Sequence, residues 1–202
     1  KAMKSTIDFE QVDGRIADIQ FKSANFQINI INGYAPQNGK AIEEKRKFYD
    51  CIEARYNMRK NNHINIIVGD FKSRLQYRLE SEKDNIGEFI FGRGQEFADQ
   101  QAQSTTESRD CFILFCMGNE LCIMNAFFKG PHLRCCTYKE INTEGWAPPW
   151  NPERYNMLDF CLTPDRWKNA IRNVRAKPTI ALNSDHALLD IDIRAKLKEQ
   201  KL

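Results

Sequence analysis

The sequence lacks any apolar run long enough to cross a membrane, and the stretch after Lys1 lacks the apolar core of a secretory signal peptide. It also lacks an internal repeat, and its net charge of +3 over 202 residues is too small to indicate nucleic acid as a partner by itself. A composition of 42% hydrophobic and 28% charged residues is typical of a globular protein with one sizeable core. We therefore expect a soluble protein with a single domain over residues 1–202.

The seven cysteines contain no C-x-x-C pair, which argues against a zinc site. Cys111 and Cys116 flank the apolar run at 112–115, and the other cysteines also have apolar neighbours. We predict buried, reduced thiols in a compartment that is not oxidising.

Two basic clusters stand out against the modest net charge. The first, at 45–47, is predicted to be the solvated face of a helix. The second cluster contains Arg166, Lys168, Arg172, Arg175 and Lys177. Its pattern leaves two interpretations open, a solvated surface or a contact with nucleic acid.

Hydrophobic patterning predicts a chain of strands with helices between them. Alternation at 16–21 and 26–31 predicts a hairpin with a tight turn at 23–25, and further strands are predicted at 64–68, 121–125, 134–138, 158–162 and 187–193. Helical spacing predicts helices at 41–60 and 108–117. The polar stretch 72–108 is predicted to be a long surface excursion, and the Pro- and Trp-rich stretch 144–152 a loop. This order predicts fold class α/β, a sandwich of two mixed sheets that face each other with the helices outside.

Four short stretches combine polar side chains with predicted strand ends. They are the sequences at 32–36, 69–72, 158–160 and 184–186, which contain Tyr34, Asp70, Asp159, Asp185 and His186. Each stretch alone has an ordinary structural explanation, because aspartates commonly cap turns and a histidine or tyrosine can simply pack at the rim of a core. Their order along the chain is what indicates a functional site.

Together these stretches resemble the endonuclease/exonuclease/phosphatase superfamily, and within it the apurinic-endonuclease-like endonuclease domain of non-LTR retrotransposons. The retrotransposon domains commonly carry Tyr-Ala-Pro, then Gly-Asp-Phe-Asn, then Leu-Asp-Phe or Leu-Asp-Tyr, then Ser-Asp-His. This chain has Tyr-Ala-Pro at 34–36, Gly-Asp-Phe at 69–71, Leu-Asp-Phe at 158–160 and Ser-Asp-His at 184–186. The similarity covers nearly the whole chain, and it implies a DNase I-like sandwich in which Thr137 borders the site and shapes the DNA-facing surface.

The resemblance also implies hydrolysis of DNA phosphodiesters with bound Mg²⁺. Asp70 would orient or deprotonate the attacking water, and Asp185 would help to hold the metal. His186, paired with Asp159, would place an imidazole against the scissile phosphate, and Tyr34 would give that phosphate a further hydrogen bond.

Lys72 replaces the asparagine that the family carries two residues after the first aspartate. Asparagine is short and neutral and both donates and accepts hydrogen bonds, whereas lysine is long and cationic and only donates. Because residues two apart on a strand share a face, Lys72 is predicted to pair with Asp70 and make that carboxylate a poorer base. The alternative is that Lys72 contacts the phosphate as a point charge and activity survives.

The family's N-terminal segment, which supplies opening strands, a metal-binding glutamate and a catalytic asparagine, has no counterpart before Tyr34. Glu10 lies too close to the first predicted strand to replace that glutamate. Because the chain begins at Lys1 rather than at a methionine, we expect that the segment either belongs to a longer polypeptide or has been lost. If it has been lost, Mg²⁺ has too few carboxylates and a protein partner covers the exposed sheet edge.

Two functions follow as hypotheses. The first is a nicking endonuclease that opens DNA for reverse transcription, which would act in the nucleus. The second is a degenerate, non-catalytic member of the same fold that serves as a structural or binding subunit of a larger complex, in an organelle or elsewhere. A phosphatase for small molecules or lipids is disfavoured, because the extra loops of such enzymes are not recognisable here.

Overall fold

The computed structural model describes residues 6–22, 27–180 and 184–194, and a mixed six-stranded sheet lies at its centre. The strand order in this sheet is β1 (Thr6–Gln11), β2 (Ile16–Lys22), β3 (Gln27–Tyr34), β4 (Ile64–Asp70), β8 (Asp159–Pro164) and β5 (Leu121–Ile123). Two small sheets pair β9 (Ile171–Lys177) with β10 (Leu188–Ile193) and β6 (Tyr138–Lys139) with β7 (Tyr155–Asn156). The helices are α1 (Ile42–Asn57), α2 (Gln95–Asp99), α3 (Gln103–Gly118) and α4 (His132–Cys135).

The pairing of the strands confirms the predicted mixed α/β class. Strands β2 and β3 are antiparallel, as the predicted hairpin requires, and the predicted turn at 23–25 lies outside the described residues. Strands β3 and β4 are parallel because α1 carries the chain back between them. Strand β8 then pairs antiparallel with β4, so the start of β8 lies beside the end of β4.

The six-stranded sheet packs on both faces, because alternate side chains of a strand point to opposite sides. On one face the sheet meets α1 and α3, and that core includes Ile31, Ile52, Ile67, Phe112 and Phe160. On the other face it meets β9 and β10, and that core includes Ile64, Ile66, Cys161, Ile171 and Val174. The predicted sandwich is therefore present, and within the described residues the second sheet is an antiparallel pair rather than a mixed sheet.

An aromatic cluster packs against the end of β4 and the start of β8. The ring of Phe71 lies 4.9 Å from that of Phe112, which in turn lies 5.0 Å from the ring of Phe160. Phe71 directly follows Asp70, and Phe160 directly follows Asp159. Because both rings are almost fully buried, each anchors the aspartate before it at the edge of the core.

Several predicted elements are corrected. Residues 134–138, predicted as a strand, belong mostly to α4 and the turn after it, and only Tyr138 is in a strand. Strands β1 and β9 were not predicted. The basic residues of β9, such as Arg172 and Arg175, hide its alternation, because the polar and apolar positions do not follow a strict period of two. Helix α3 begins at Gln103, earlier than the predicted 108.

The predicted surface excursion at 72–108 contains α2 and the start of α3, and it is not confined to the surface. Its buried residues include Ser73, Leu75, Gln76, Glu82, Ile86, Phe91 and Ser108. Glu82 accepts a hydrogen bond of 2.7 Å from Arg109 of α3, and both side chains are buried. The Arg109 guanidinium also lies 4.0 Å from the centre of the Tyr77 ring. This ion pair ties the segment to α3, which explains how a polar stretch enters the interior.

Lys45 corrects the interpretation of the first basic cluster. Arg46 and Lys47 are exposed as predicted, but the Lys45 side chain is only 2% exposed. Its ammonium donates a hydrogen bond of 2.9 Å to the carbonyl of Ser104 and lies 3.6 Å from Glu107. Lys45 therefore joins α1 to the first turns of α3, and the aliphatic part of its side chain accounts for its burial.

The cysteines agree in part with the predicted buried thiols. All seven are free, and Cys116, Cys122, Cys136 and Cys161 are buried, whereas Cys51, Cys111 and Cys135 are only partly buried. Burial raises the pKa of Cys122 to about 11, so this group stays a thiol at neutral pH.

Candidate active site

Tyr34, Asp70 and Asp159 lie in one row across the ends of three neighbouring strands of the central sheet. Tyr34, the last residue of β3, is in register with Asp70, the last residue of β4. Asp70 is in register with Asp159, the first residue of β8. The backbone N–H of Ala35 donates a hydrogen bond of 2.8 Å to the carbonyl of Asp70, which holds β3 and β4 together beyond their ends. The hydrogen-bond ladder thus brings together residues that are far apart in sequence.

A close approach of two glycines lies directly behind this row. Gly69 has a φ of +143°, and a Cβ at this position would stand 1.9 Å from the carbonyl oxygen of Gly33. Gly33 in turn faces Phe48 and Ile52 of α1, with 3.0 Å between an added Cβ and either side chain. Only glycine permits this spacing, so the Gly-Asp pair of the motif has a structural reason as well as a chemical one.

Asp159 and His186 form a hydrogen-bonded dyad. The Nδ1 atom of His186 lies 2.9 Å from Oδ2 of Asp159, and its Nε2 atom lies 3.6 Å from Oδ2 of Asp70. The hydrogen bond to Asp159 raises the pKa of His186, although burial opposes it, and the charges of Asp159 and Asp70 add to the rise. The site therefore favours an imidazolium, a group suited to an anionic phosphate.

Thr137 positions the aspartate of this dyad. Its Oγ1 accepts hydrogen bonds from the backbone N–H groups of Leu158 and Asp159, at 2.9 and 3.0 Å. Its carbonyl accepts one of 2.8 Å from the N–H of Ala187, next to His186. The side chain is fully buried, so the expectation that Thr137 shapes a DNA-facing surface is wrong. A period-2 pattern cannot reveal this role, because the two acceptor contacts join segments that are distant in sequence.

Replacing Thr137 by valine is expected to destabilise the protein by about 1–3 kcal/mol, because it leaves two buried N–H groups without an acceptor. We also expect the pKa of His186 to fall toward its ordinary value as Asp159 moves. Urea denaturation measures the first effect, and NMR titration of the imidazole the second. Thr137→Ser keeps the oxygen and serves as the control. An unchanged imidazole pKa in the valine variant would contradict the positioning role.

Lys72 occupies both oxygens of the Asp70 carboxylate. Its backbone N–H donates a hydrogen bond of 3.0 Å to Oδ1, and its ammonium lies 2.5 Å from Oδ2. Lys72 has a φ of +50°, a left-handed conformation in which asparagine is much commoner than lysine. The predicted pairing of Lys72 with Asp70 is therefore confirmed. The geometry also explains why asparagine suits this position in the family.

Burial and charge act in opposite directions on this pair. Burial raises the pKa of Asp70, and the nearby Asp159 adds to the rise, while the contacts with Lys72 lower it in part. Burial lowers the pKa of Lys72, but the contact with Asp70 and its charge outweigh burial, so the net direction is upward. The expectation that Lys72 makes Asp70 a poorer base is therefore not supported by the net direction, because burial is the larger influence and the pKa of Asp70 is raised.

The carboxylates of Asp70 and Asp159 and the imidazole of His186 could together hold a metal ion. One ligand atom from each lies within 4.8 Å of the others. Asp185 is not a member of this group, and its position is fixed by its carbonyl, which accepts a hydrogen bond of 2.9 Å from Lys139. The role of Asp185 as a metal ligand stays a prediction.

Tyr34 stands at the open side of the site. Its side chain is 47% exposed, and its ring centre lies 5.1 Å from the Lys72 ammonium and 5.8 Å from the Arg15 guanidinium. Arg15 was not singled out from the sequence, because a lone arginine in a turn carries no signal. Its position places two cations within 6 Å of the centre of the Tyr34 ring.

Several of the other charged residues weighed from the sequence contact the protein itself, whereas Arg172 is exposed. Glu10 of β1 pairs with Arg55 of α1, which agrees with the expectation that Glu10 is not part of the site. In the second basic cluster, Arg175 and Lys177 both pair with Asp190 of β10. Arg166 donates a hydrogen bond to the carbonyl of Asn61. These contacts favour a structural interpretation of that cluster.

The sheet topology identifies the fold of the chain. The chain has the fold of the endonuclease/exonuclease/phosphatase superfamily, as the structural neighbours establish. No protein-family model matches the chain. Within the described residues, no helix combines the length and apolar character needed to cross a membrane.

Three solved structures carry the similarity in fold. The AP endonuclease LMAP from Leishmania major has a TM-score of 0.61 at 14% identity, with 92% of this chain and 56% of that chain covered. A variant of the 3′ phosphatase NExo from Neisseria, bound to a product DNA hairpin, has a TM-score of 0.60 at 14% identity, covering 95% and 71%. The endonuclease domain of TRAS1, a telomere-specific non-LTR retrotransposon, has a TM-score of 0.53 at 12% identity, covering 93% and 67%.

Two curated proteins are similar in sequence over 185 residues. Both are named Craniofacial development protein 2, from Bos taurus at 25% identity and from Tragulus javanicus at 24%. The alignments cover 91% of this chain but only 27% and 28% of those proteins. The chain therefore spans about a quarter of the length of these relatives.

Proposed function

We propose that this chain is a DNA-phosphodiester-binding domain of the retrotransposon-endonuclease type, in which Lys72 suppresses metal-dependent hydrolysis. One observation carries the proposal: the residue that would have to act on the attacking water, Asp70, has both carboxylate oxygens engaged by Lys72. Asp159 and His186, to which we assign contact with a phosphate, lie beside Asp70. Binding is thus supported more strongly than cutting.

The support for phosphate binding comes from two hydrogen-bond donors of the site, His186 and Tyr34. His186 is held by Asp159 in an orientation that leaves Nε2 toward the centre of the site, and Tyr34 offers an exposed hydroxyl. Charged donors bind phosphate oxygens more strongly than neutral ones. Among the structural neighbours, NExo is described with a bound product DNA hairpin, and the TRAS1 domain is described as a retrotransposon endonuclease. DNA is therefore the ligand that we propose.

The argument for suppressed hydrolysis rests on access to Asp70. A general base must lie within hydrogen-bond reach of the water from which it takes a proton. Oδ2 of Asp70 is buried and faces the Lys72 ammonium, while Oδ1 accepts the N–H of Lys72. A water molecule would have to displace the ammonium before it could reach Oδ2. Mg²⁺, the metal that the resemblance implies, would meet the same obstacle at this carboxylate.

An active, Mg²⁺-dependent nicking endonuclease is the second candidate. Its support is the intact Asp159–His186 dyad and the raised pKa of Asp70, both of which suit acid–base work on a phosphodiester. A non-catalytic subunit with a protein partner along the sheet edge also stays a prediction, and it is compatible with the proposed binding function.

Plasmid nicking separates these candidates. The polypeptide that carries this chain is incubated with Mg²⁺ and supercoiled plasmid, beside its His186→Ala variant. We expect both to leave the plasmid supercoiled, while the variant binds a labelled duplex about tenfold more weakly or worse, since a charged hydrogen-bond donor is lost. The matched control is His63→Ala, which should bind like the wild type. His63 directly precedes the first residue of β4, whereas Asp70 is the last residue of that strand. Nicked circles from the wild type but not from His186→Ala would overturn the suppression and establish the second candidate.

A further inference from the structure

The Lys72 ammonium stands where a cation would contact the acidic cluster. It lies 2.5 Å from Oδ2 of Asp70, the same oxygen that lies 3.6 Å from Nε2 of His186. We propose that Lys72 is a tethered cation that takes the place of a divalent metal ion at this cluster, so that the site engages a DNA phosphodiester without metal. The choice of ligand rests on the proposed function, whereas the replacement of the metal rests on the geometry of Lys72 alone.

The backbone holds the ammonium in place. With a φ of +50°, Lys72 turns the chain back over Asp70, and its own N–H closes this turn on Oδ1. The side chain is only 18% exposed, so the ammonium lies against the carboxylate rather than extending into solvent. Both ends of the residue thus contact one carboxylate. A surface lysine that pairs by chance would lack the hydrogen bond from its own backbone N–H to the same carboxylate.

The cluster already holds a positive charge without a metal ion. The Lys72 ammonium faces the Asp70 carboxylate, and Nδ1 of His186 lies 2.9 Å from the Asp159 carboxylate. Both carboxylates therefore have a partner in the protein. A divalent ion would have to bind beside an ammonium that already contacts one of its ligands, and Mg²⁺ gives up its water shell reluctantly. The donor set without Lys72 suits a metal ion, but with Lys72 in place it does not.

The same ammonium also faces the opening through which a phosphate would arrive. The centre of the Tyr34 ring lies 5.1 Å from Nζ and 5.8 Å from the Arg15 guanidinium. A phosphodiester oxygen beside the Tyr34 hydroxyl would therefore lie near the Lys72 ammonium, while the Arg15 guanidinium also lies 3.5 Å from Glu44. The ammonium is the cation that such an oxygen would meet in place of a metal ion.

Calorimetric titration with Mn²⁺ tests the replacement directly. We expect the wild-type polypeptide to bind Mn²⁺ only weakly at this cluster. Lys72→Asn is expected to bind Mn²⁺ at least about tenfold more tightly, because the competing charge is gone. Adding Asp70→Asn to Lys72→Asn should abolish the gain, and Lys83→Asn, at an exposed lysine of another ion pair, should match the wild type. Equal Mn²⁺ affinity in the wild type and Lys72→Asn would overturn the inference. Asparagine adopts the left-handed backbone readily, and a thermal melt verifies that the variant is folded.

Fluorescence anisotropy with a labelled DNA duplex tests the consequence for the ligand. At constant ionic strength, the Kd of the wild type should agree within about twofold between EDTA and Mg²⁺. Lys72→Asn should bind more weakly in EDTA and recover when Mn²⁺ is added. Loss of wild-type binding in EDTA would overturn metal-independent engagement. Absence of DNA binding in every buffer would instead overturn the proposed function, and the Mn²⁺ titration would still decide whether Lys72 replaces the metal.

Discussion

Replacing Gly69 by alanine is expected to lower the free energy of unfolding by about 4 kcal/mol or more, the largest effect that we anticipate for one methyl group. The added Cβ would stand 1.9 Å from the carbonyl oxygen of Gly33, which is backbone and cannot rotate away. The φ of +143° is also strained for any residue with a Cβ. Relief requires β3 and β4 to separate at the point where Tyr34 and Asp70 lie side by side, so the site should be lost together with the stability.

Urea denaturation followed by circular dichroism measures this effect. Gly14→Ala is the matched control, because an added Cβ there meets nothing within 4 Å and the backbone is not left-handed. The control should stay within about 1 kcal/mol of the wild type. A Gly69→Ala protein with the wild-type urea midpoint would refute the tight approach of β3 and β4.

Replacing Arg109 by methionine is expected to cost about 3–5 kcal/mol, because it leaves the carboxylate of Glu82 buried without its cation. Both side chains of this pair are 5% exposed, and their closest atoms lie 2.7 Å apart. Arg109 also donates a hydrogen bond of 3.2 Å to the carbonyl of Tyr77 and packs on the Tyr77 ring. The loss should therefore detach the irregular segment from α3.

A double-mutant cycle separates the ion pair from the packing. Arg109→Met combined with Glu82→Gln should cost less than the sum of the two single changes, since the buried charge is removed together with its partner. Lys83→Met serves as the control. Lys83 lies next to Glu82 but forms an exposed ion pair with Glu80, so its removal should change stability by less than about 1 kcal/mol. Strict additivity of the Arg109 and Glu82 changes would argue against the pair.

Much of the fold was predictable because its signals are local. The alternating residues of β3 and the buried run of β4 each reflect the geometry of one strand, and the spacing of Phe48 and Ile52 reflects one helix face of α1. The site residues Tyr34 and Asp70 could be selected for the same reason, since polar groups at the ends of buried strands are visible in a single sequence. The fold and the grouping of Asp70, Asp159 and His186 agree with the resemblance.

Other features were not predictable because they depend on partners that are distant in sequence. Thr137 has an ordinary sequence neighbourhood, and its role exists only because residues 158 and 159 lie against its hydroxyl. Lys45 was predicted to be exposed to solvent, because its partner, the carbonyl of Ser104, is distant in sequence. Strand β9 was missed because its arginines pair with Asp190, which is contributed by β10.

The sequence by itself determined the chemical groups of the site, their order along the strands and the lysine that departs from the family pattern. Only the tertiary structure decided that Lys72 contacts both oxygens of Asp70, that His186 turns one nitrogen to Asp159, and that Thr137 is buried beneath them. The physical reason is one of range. Periodicity and turn chemistry act over a few residues, whereas a carboxylate's partners, burial and charge depend on which distant segments the sheet brings to its side.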